Sequence, residues 1–215
     1  RMKLTTVKGL QSEIFVPITP DPVWAPVKKE LKDMRVAIAS AAGIHLKTQD
    51  RFNLAGDTTY REIPGDAQDD ELMVSHGGYD NSDVNKDINC MFPIDRLREL
   101  ADEGFIKEVA PFHYGFMGGG GDQEAFTNKT GPEIAQKLKD EDVDAVILTG
   151  GWGTCHRTAT IVQRAIEADD IDMLNNKPAY LIGAKDLDFM SRVKTQADWQ
   201  QWIDASISST LNLPN

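Results

Sequence analysis

The residues best suited to chemistry lie in one short run, Gly150-Gly151-Trp152-Gly153-Thr154-Cys155-His156-Arg157. A thiol attacks only as its thiolate, and a place at the start of a helix beside a cation stabilises that form through free N–H groups and the helix dipole. Cys155 stands at such a place, with His156 and Arg157 next to it. Gly150, Gly151 and Gly153 let the backbone approach a small ligand closely. Trp152 precedes Cys155 by three residues, the spacing of a two-chalcogen redox pair at a helix mouth. An indole neither attacks as a nucleophile nor bonds reversibly to sulfur, so the run holds half of such a pair. The same residues also describe a buried structural cysteine beside a tight turn, and residue types alone leave both readings open.

A second run, Ser75-His76-Gly77-Gly78-Tyr79-Asp80-Asn81-Ser82-Asp83, continues into Asn85, Lys86 and Asp87. His76 and Asp80 beside paired glycines would orient a small polar substrate, while a solvated turn with Asx-type caps fits the composition as well. Gly118 to Gly121, followed by Asp122, form either a flexible lid or a plain linker. They lack the Gly-Lys-Ser/Thr ending of a phosphate-binding loop. His45 and His113 each follow a strand-like stretch and are candidates for the same rim, and Cys90 reads as a small buried hydrophobe. The candidate from residue types alone is Cys155, with His156 as a neighbouring cation and Trp152 at the place of the missing partner. The candidate substrate-binding set is His45, His76, Asp80, Gly151, Gly153 and Thr154.

These residues need elements to hold them. Hydrophobic periodicity predicts helices over 93–103, 131–141 and 156–168, the first two opened by Pro93 and Pro132. Strand-like stretches fall at 35–39, 105–110, 143–148 and 179–182, with a short one opening 73–83, and 48–70 reads as a long surface excursion. Strands alternating with helices through short connections predict an α/β fold, a three-layer sandwich with a mostly parallel sheet. The redox run would then lie at the carboxyl end of the 143–148 strand, where open parallel sheets bind ligands. Three segments are expected: an extended arm over 1–34 stiffened by Pro17, Pro20, Pro22 and Pro26, an α/β domain over 35–170, and a C-terminal segment over 171–215.

Composition excludes other classes. The 215 residues carry 23 Lys+Arg against 34 Asp+Glu, a net charge of −11 without a basic cluster, which argues against nucleic acid as a partner. No apolar run approaches the roughly 20 residues that span a bilayer, so no membrane association is expected and the chain reads as cytoplasmic. Two cysteines, Cys90 and Cys155, make neither a disulfide framework nor a zinc site, and no metal is expected.

Taken together, these segments resemble the selenoprotein B family of glycine, sarcosine, betaine and D-proline reductases. The resemblance runs from about Leu4 to Ile166. It rests on the 4–13 segment, on Tyr60-Arg61-Glu62-Ile63-Pro64, on 74–89, on 92–100, on 115–123 and on Gly153-Thr154-Cys155-His156-Arg157. In that family the motif is selenocysteine, two residues, then cysteine, so the resemblance implies selenocysteine at the position of Trp152. Its codon, UGA, differs by one base from the tryptophan codon UGG. The glycine, sarcosine and betaine branches extend the motif by a cysteine three residues on, where this chain has Thr158, which points to the D-proline branch. The implied reaction is reductive C–N cleavage of D-proline to 5-aminopentanoate. The implied partners are a subunit carrying a pyruvoyl group, the small amino-acid substrate, and a dithiol or electron-carrier protein. No cofactor is expected on this chain itself, and His156 is implied as the local proton donor by adjacency. After about Asp169 the sequence departs from the family pattern. Residues 206–214 are similar instead to a short segment of adenosylcobalamin-dependent ribonucleotide reductases, which implies no activity here.

Overall fold

The computed structural model describes Ala25, Val27, residues 29–119 and 122–167, and the backbone of 179–182. Most of the proline-rich arm and nearly all of 171–215 lie outside the described residues.

The chain forms strands β1 (Arg35–Ser40), β2 (Ile44–Leu46), β3 (Tyr60–Pro64) and β4 (Leu72–Val74), then helix α1 (Ile94–Asp102). Strands β5 (Glu108–Val109) and β6 (Phe112–Phe116) follow, then α2 (Gln123–Ala125), which runs through a π-helical turn at Phe126–Thr130 into α3 (Gly131–Asp140). Strand β7 (Ala145–Thr149), helix α4 (Gly153–Glu167) and strand β8 (Ala179–Ile182) complete the order. The main sheet runs β3-β6-β1-β7-β8, with β5 against the start of β1. Every pairing in it is parallel except β3 with β6. The chain is thus an α/β protein built on a mostly parallel sheet, and β2 and β4 form a separate antiparallel pair.

Alternation along the central strands sends side chains to two apolar clusters. Val36 and Ile38 of β1 and Ala145 and Ile147 of β7 join Ile94 and Leu97 of α1, with Ile44, Leu72 and Val74 of the small pair. Ala37, Ala39, Val146 and Leu148 join Ile134 and Leu138 of α3 and Ala159, Val162 and Ile166 of α4. The β1 residues in this second cluster are alanines, and Cys155 is buried among them.

The structure departs from the pattern-based expectations in three places. The 48–70 excursion contains β3, an edge strand whose Arg61 and Glu62 stay partly exposed, so it shows no clean apolar alternation. The 105–110 strand shrinks to β5, and a new strand, β6, begins after Pro111. Proline has no N–H to give the ladder, so the edge along β1 breaks there and resumes at the Ala39–Tyr114 pairing. Finally, α4 begins at Gly153 rather than 156, because the Trp152 carbonyl already accepts from Cys155 N at 3.0 Å and His156 N at 3.3 Å.

Candidate functional site

The carboxyl ends of β1, β6 and β7 converge on one edge of the sheet. Ala41 N donates to the Thr149 carbonyl at 2.8 Å, and Gly118 N to the Ala41 carbonyl at 3.0 Å. Beneath this edge the Thr149 hydroxyl donates to Ser40 Oγ at 2.7 Å, tying β7 to β1 in the buried interior. The glycine-rich turn after β7 leads into α4, so residue 152 caps that helix and Cys155 lies in its first turn. Residue 152 thus stands just under one helical turn before Cys155, at the mouth of α4.

The loop after β4 closes over this edge. Its anchor is Gly43, held at φ +77°, where a Cβ would fall 2.3 Å from the Ser75 carbonyl oxygen. Ser75 N donates to the Gly43 carbonyl at 2.8 Å and the Tyr79 hydroxyl to the Ala42 carbonyl at 2.9 Å. The Asn81 amide holds the His76 carbonyl at 2.9 Å. So fastened, the loop brings His76 Nε2 to 3.0 Å from Cys155 Sγ, across 79 residues of sequence. Trp152, 48% exposed, lays its indole on Gly78, where a Cβ would lie 2.5 Å from indole Cε3.

The electrostatics differ from those of an activated thiol in an electropositive cleft. Cys155 is 0% exposed, and burial pushes its thiol up to about 11. The backbone amides of Trp152, Gly151, Cys155 and Gly118 oppose that shift. Burial also lowers His76 from its ordinary value, which favours neutral imidazole. Neither anticipated cation serves the sulfur. His156 Nδ1 bonds the Trp152 carbonyl at 2.8 Å, and the Arg157 guanidinium faces the Gln123 side-chain amide.

Of the anticipated substrate-binding residues, Gly151, Gly153 and Thr154 lie on the turn leading to Cys155. Gly151 lies against the Tyr79 ring, Gly153 faces open space, Thr154 Oγ1 is buried with no hydrogen-bond partner among the described residues, and His76 meets the sulfur. Asp80 does not: it is exposed and caps its own turn through Ser82 N at 3.0 Å. His45 lies fully buried in β2, one step behind the site, with Nε2 on Ser75 Oγ at 2.8 Å. His113 sits in β6 inside the core, its Nδ1 accepting from Ile38 N at 3.0 Å. Cys90 packs at the margin of the α1 cluster. Tyr79 and Gly118 belong to the site on structural grounds: the Tyr79 ring stands 4.8 Å from His76, and a Cβ on Gly118 would lie 2.5 Å from Cys155 Cα. Both fall within stretches flagged by sequence, but no local signal separates them from their neighbours.

Fold and site together define an α/β protein with a histidine-paired cysteine at the carboxyl edge of its sheet, the sulfur three residues after a helix cap. The family model of glycine/sarcosine/betaine reductase selenoprotein B matches residues 3–151. The chain is 70% identical over 168 residues to D-proline reductase subunit gamma of Acetoanaerobium sticklandii, covering 78% of this chain and 69% of that protein. It is 32% identical over 184 residues to glycine reductase complex component B subunit gamma of Carboxydothermus hydrogenoformans, covering 81% of this chain and 41% of the relative. It is 33% identical over 183 residues to sarcosine reductase complex component B subunit beta of Peptoclostridium acidaminophilum, covering 79% and 41%. The chain therefore belongs to the glycine/sarcosine/betaine reductase selenoprotein B family, and its relatives are subunits of reductases, several named as components of complexes. It spans about two-fifths of the length of the glycine and sarcosine relatives. No solved structure matches it. No helix among the described residues is long and apolar enough to cross a membrane.

Proposed function

We propose that this chain is the selenocysteine-type subunit of a D-proline reductase, and that residue 152 occupies the selenocysteine position. One observation carries this reading: residue 152 caps α4 three residues before Cys155, at the sheet edge, in a chain 70% identical to a D-proline reductase subunit. A helix cap stabilises a chalcogen anion through the free N–H groups of the first turn. The markedly lower identity to the glycine and sarcosine relatives, with Thr158 in place of a further cysteine, favours D-proline over those substrates.

In the proposed reaction a selenolate supplies the nucleophile at the substrate α-carbon, and the C–N bond breaks as a carbon–selenium bond forms. A pyruvoyl group on a partner subunit makes the nitrogen a better leaving group. Cys155 then takes the selenium, forming a Se–S bond. The α-carbon keeps the electron pair, gains a proton and leaves as 5-aminopentanoate. A dithiol or electron-carrier protein reduces the Se–S bond by two electrons and is itself oxidised. A chain with Trp152 has no anion to begin this sequence, and its indole fills the space over Gly78.

The deciding experiment places selenocysteine at 152, adds the pyruvoyl subunit, and follows D-proline-dependent dithiol oxidation. Turnover with selenocysteine, and none with Trp152, is expected. Turnover by the Trp152 chain refutes the assignment, as does a tryptophan mass at this position in peptides from native material. A non-catalytic scaffold subunit would show no gain from selenocysteine.

A further inference from the structure

The cysteine–histidine contact has a fixed polarity. His76 Nδ1 accepts a hydrogen bond from Gly78 N at 2.9 Å, so that nitrogen carries a lone pair and no proton. A neutral imidazole has one N–H, which must then be on Nε2, and Nε2 lies 3.0 Å from Cys155 Sγ. Protonating Nδ1 would set an N–H against the Gly78 N–H, which cannot turn away from a loop held at the Ser75 amide, the His76 carbonyl and the Tyr79 hydroxyl.

We propose that His76 is a standing hydrogen-bond donor to Cys155, with Nε2–H directed at the sulfur and Nδ1 held as an acceptor by Gly78. This inference rests on reading Cys155 as the sulfur that acts in the reductase. It makes the pair different from one in which histidine takes the thiol proton and an imidazolium faces the thiolate. Nε2 already holds its proton and has no room for a second. The Cys155 proton leaves to solvent or substrate, and the thiolate left behind meets a ring of neutral donors, Nε2–H together with the surrounding backbone amides. Such a ring favours the thiolate both when Cys155 attacks and when it departs from a reduced Se–S bond. Burial of the sulfur and the lowering of His76 agree with a neutral pair. The adjacent titratable side chains are Tyr79, whose hydroxyl donates to Ala42, and His156, which bonds the Trp152 carbonyl.

The test uses the Trp152 chain as it exists, with Cys90→Ser leaving Cys155 as its one thiol. Nitrogen-15 NMR of the imidazole at neutral pH should show Nδ1 unprotonated and Nε2 protonated; the reverse, or two protonated nitrogens, overturns the proposal. Reactivity of Cys155 toward a small methanethiosulfonate should climb steadily from about pH 6 to 9, whereas a plateau beginning below neutrality marks an ion pair and also overturns it. A hydrogen bond to a charged group shifts an ionisation by about one to two units, so His76→Phe should lower reactivity at about pH 8 by about 10- to 100-fold. His76→Gln, which keeps a side-chain N–H, should stay within about threefold of the parent. No change or a rise in His76→Phe counts against the proposal. The nitrogen spectrum needs no substitution at His76 and decides the question even if that variant does not fold. None of these readouts requires selenocysteine, so a wrong assignment at residue 152 and a wrong one at His76 are told apart.

Discussion

The close approach of Gly118 to α4 predicts what one methyl group would do to the site. A Cβ built on Gly118 lies 2.5 Å from Cys155 Cα, 2.9 Å from Cys155 Cβ and 3.1 Å from Ala41 Cβ. Two of these neighbours belong to the first turn of a 15-residue helix and the third to the chain just past β1, so no flexible side-chain end can yield. Ordinary van der Waals contact requires the helix mouth to retreat by about 1 Å, against tightly packed surroundings. Overpacking of this kind costs about 2 kcal/mol, which in a chain of this size lowers Tm by about 4–8 °C. The retreat also carries Cys155 away from His76 and stretches the Thr158 hydroxyl bond to the Gly118 carbonyl, now 3.0 Å. Gly153→Ala is the control. A Cβ there meets nothing within 4 Å, and alanine is the better residue inside a helix, so stability should be unchanged or higher by up to about 1 kcal/mol. Thermal unfolding followed by circular dichroism, paired with Cys155 thiosulfonate reactivity, reads both variants. A Gly118→Ala chain melting within 1 °C of the parent, or a Gly153→Ala chain that loses more, would refute the packing argument.

Two further outcomes follow from buried groups. Burial lowers His113 to about 3, against an ordinary value near 6.5, so the folded state resists a proton that the unfolded chain accepts. Its contribution is whole above about pH 6.5 and is lost as pH falls toward 3; urea unfolding across that range should show less acid sensitivity in His113→Phe, and an unaltered slope would contradict this. Asp144 accepts from Arg35 N at 2.9 Å and from Lys29 Nζ at 2.8 Å. Asp144→Ala leaves that amide without its acceptor and should cost about 2 kcal/mol by denaturant unfolding; a loss below about 0.5 kcal/mol would show that water replaces the carboxylate.

Local pattern was enough to determine the parts of this protein whose burial repeats along the chain. The helices expected over 93–103 and 131–141 fall at Ile94–Asp102 and Gly131–Asp140, because one apolar stripe per helix is a local property. The apolar run at 143–148 becomes β7 for the same reason, and the glycine-rich turn after it placed residues 152 and 155 at a strand-to-helix junction. Tertiary structure alone decided which side chain meets the sulfur. His156, one residue away, turns to the Trp152 carbonyl, while His76 arrives from 79 positions away because Gly43 and Tyr79 fasten its loop to the end of β1. The strands β3 and β6 were equally hidden: the first is a partly polar edge, and the second restarts after a proline that interrupts the ladder. Sequence periodicity records whether a residue faces inward, but it carries no record of what waits there. That is set by how far the chain travels before the sheet brings its ends together.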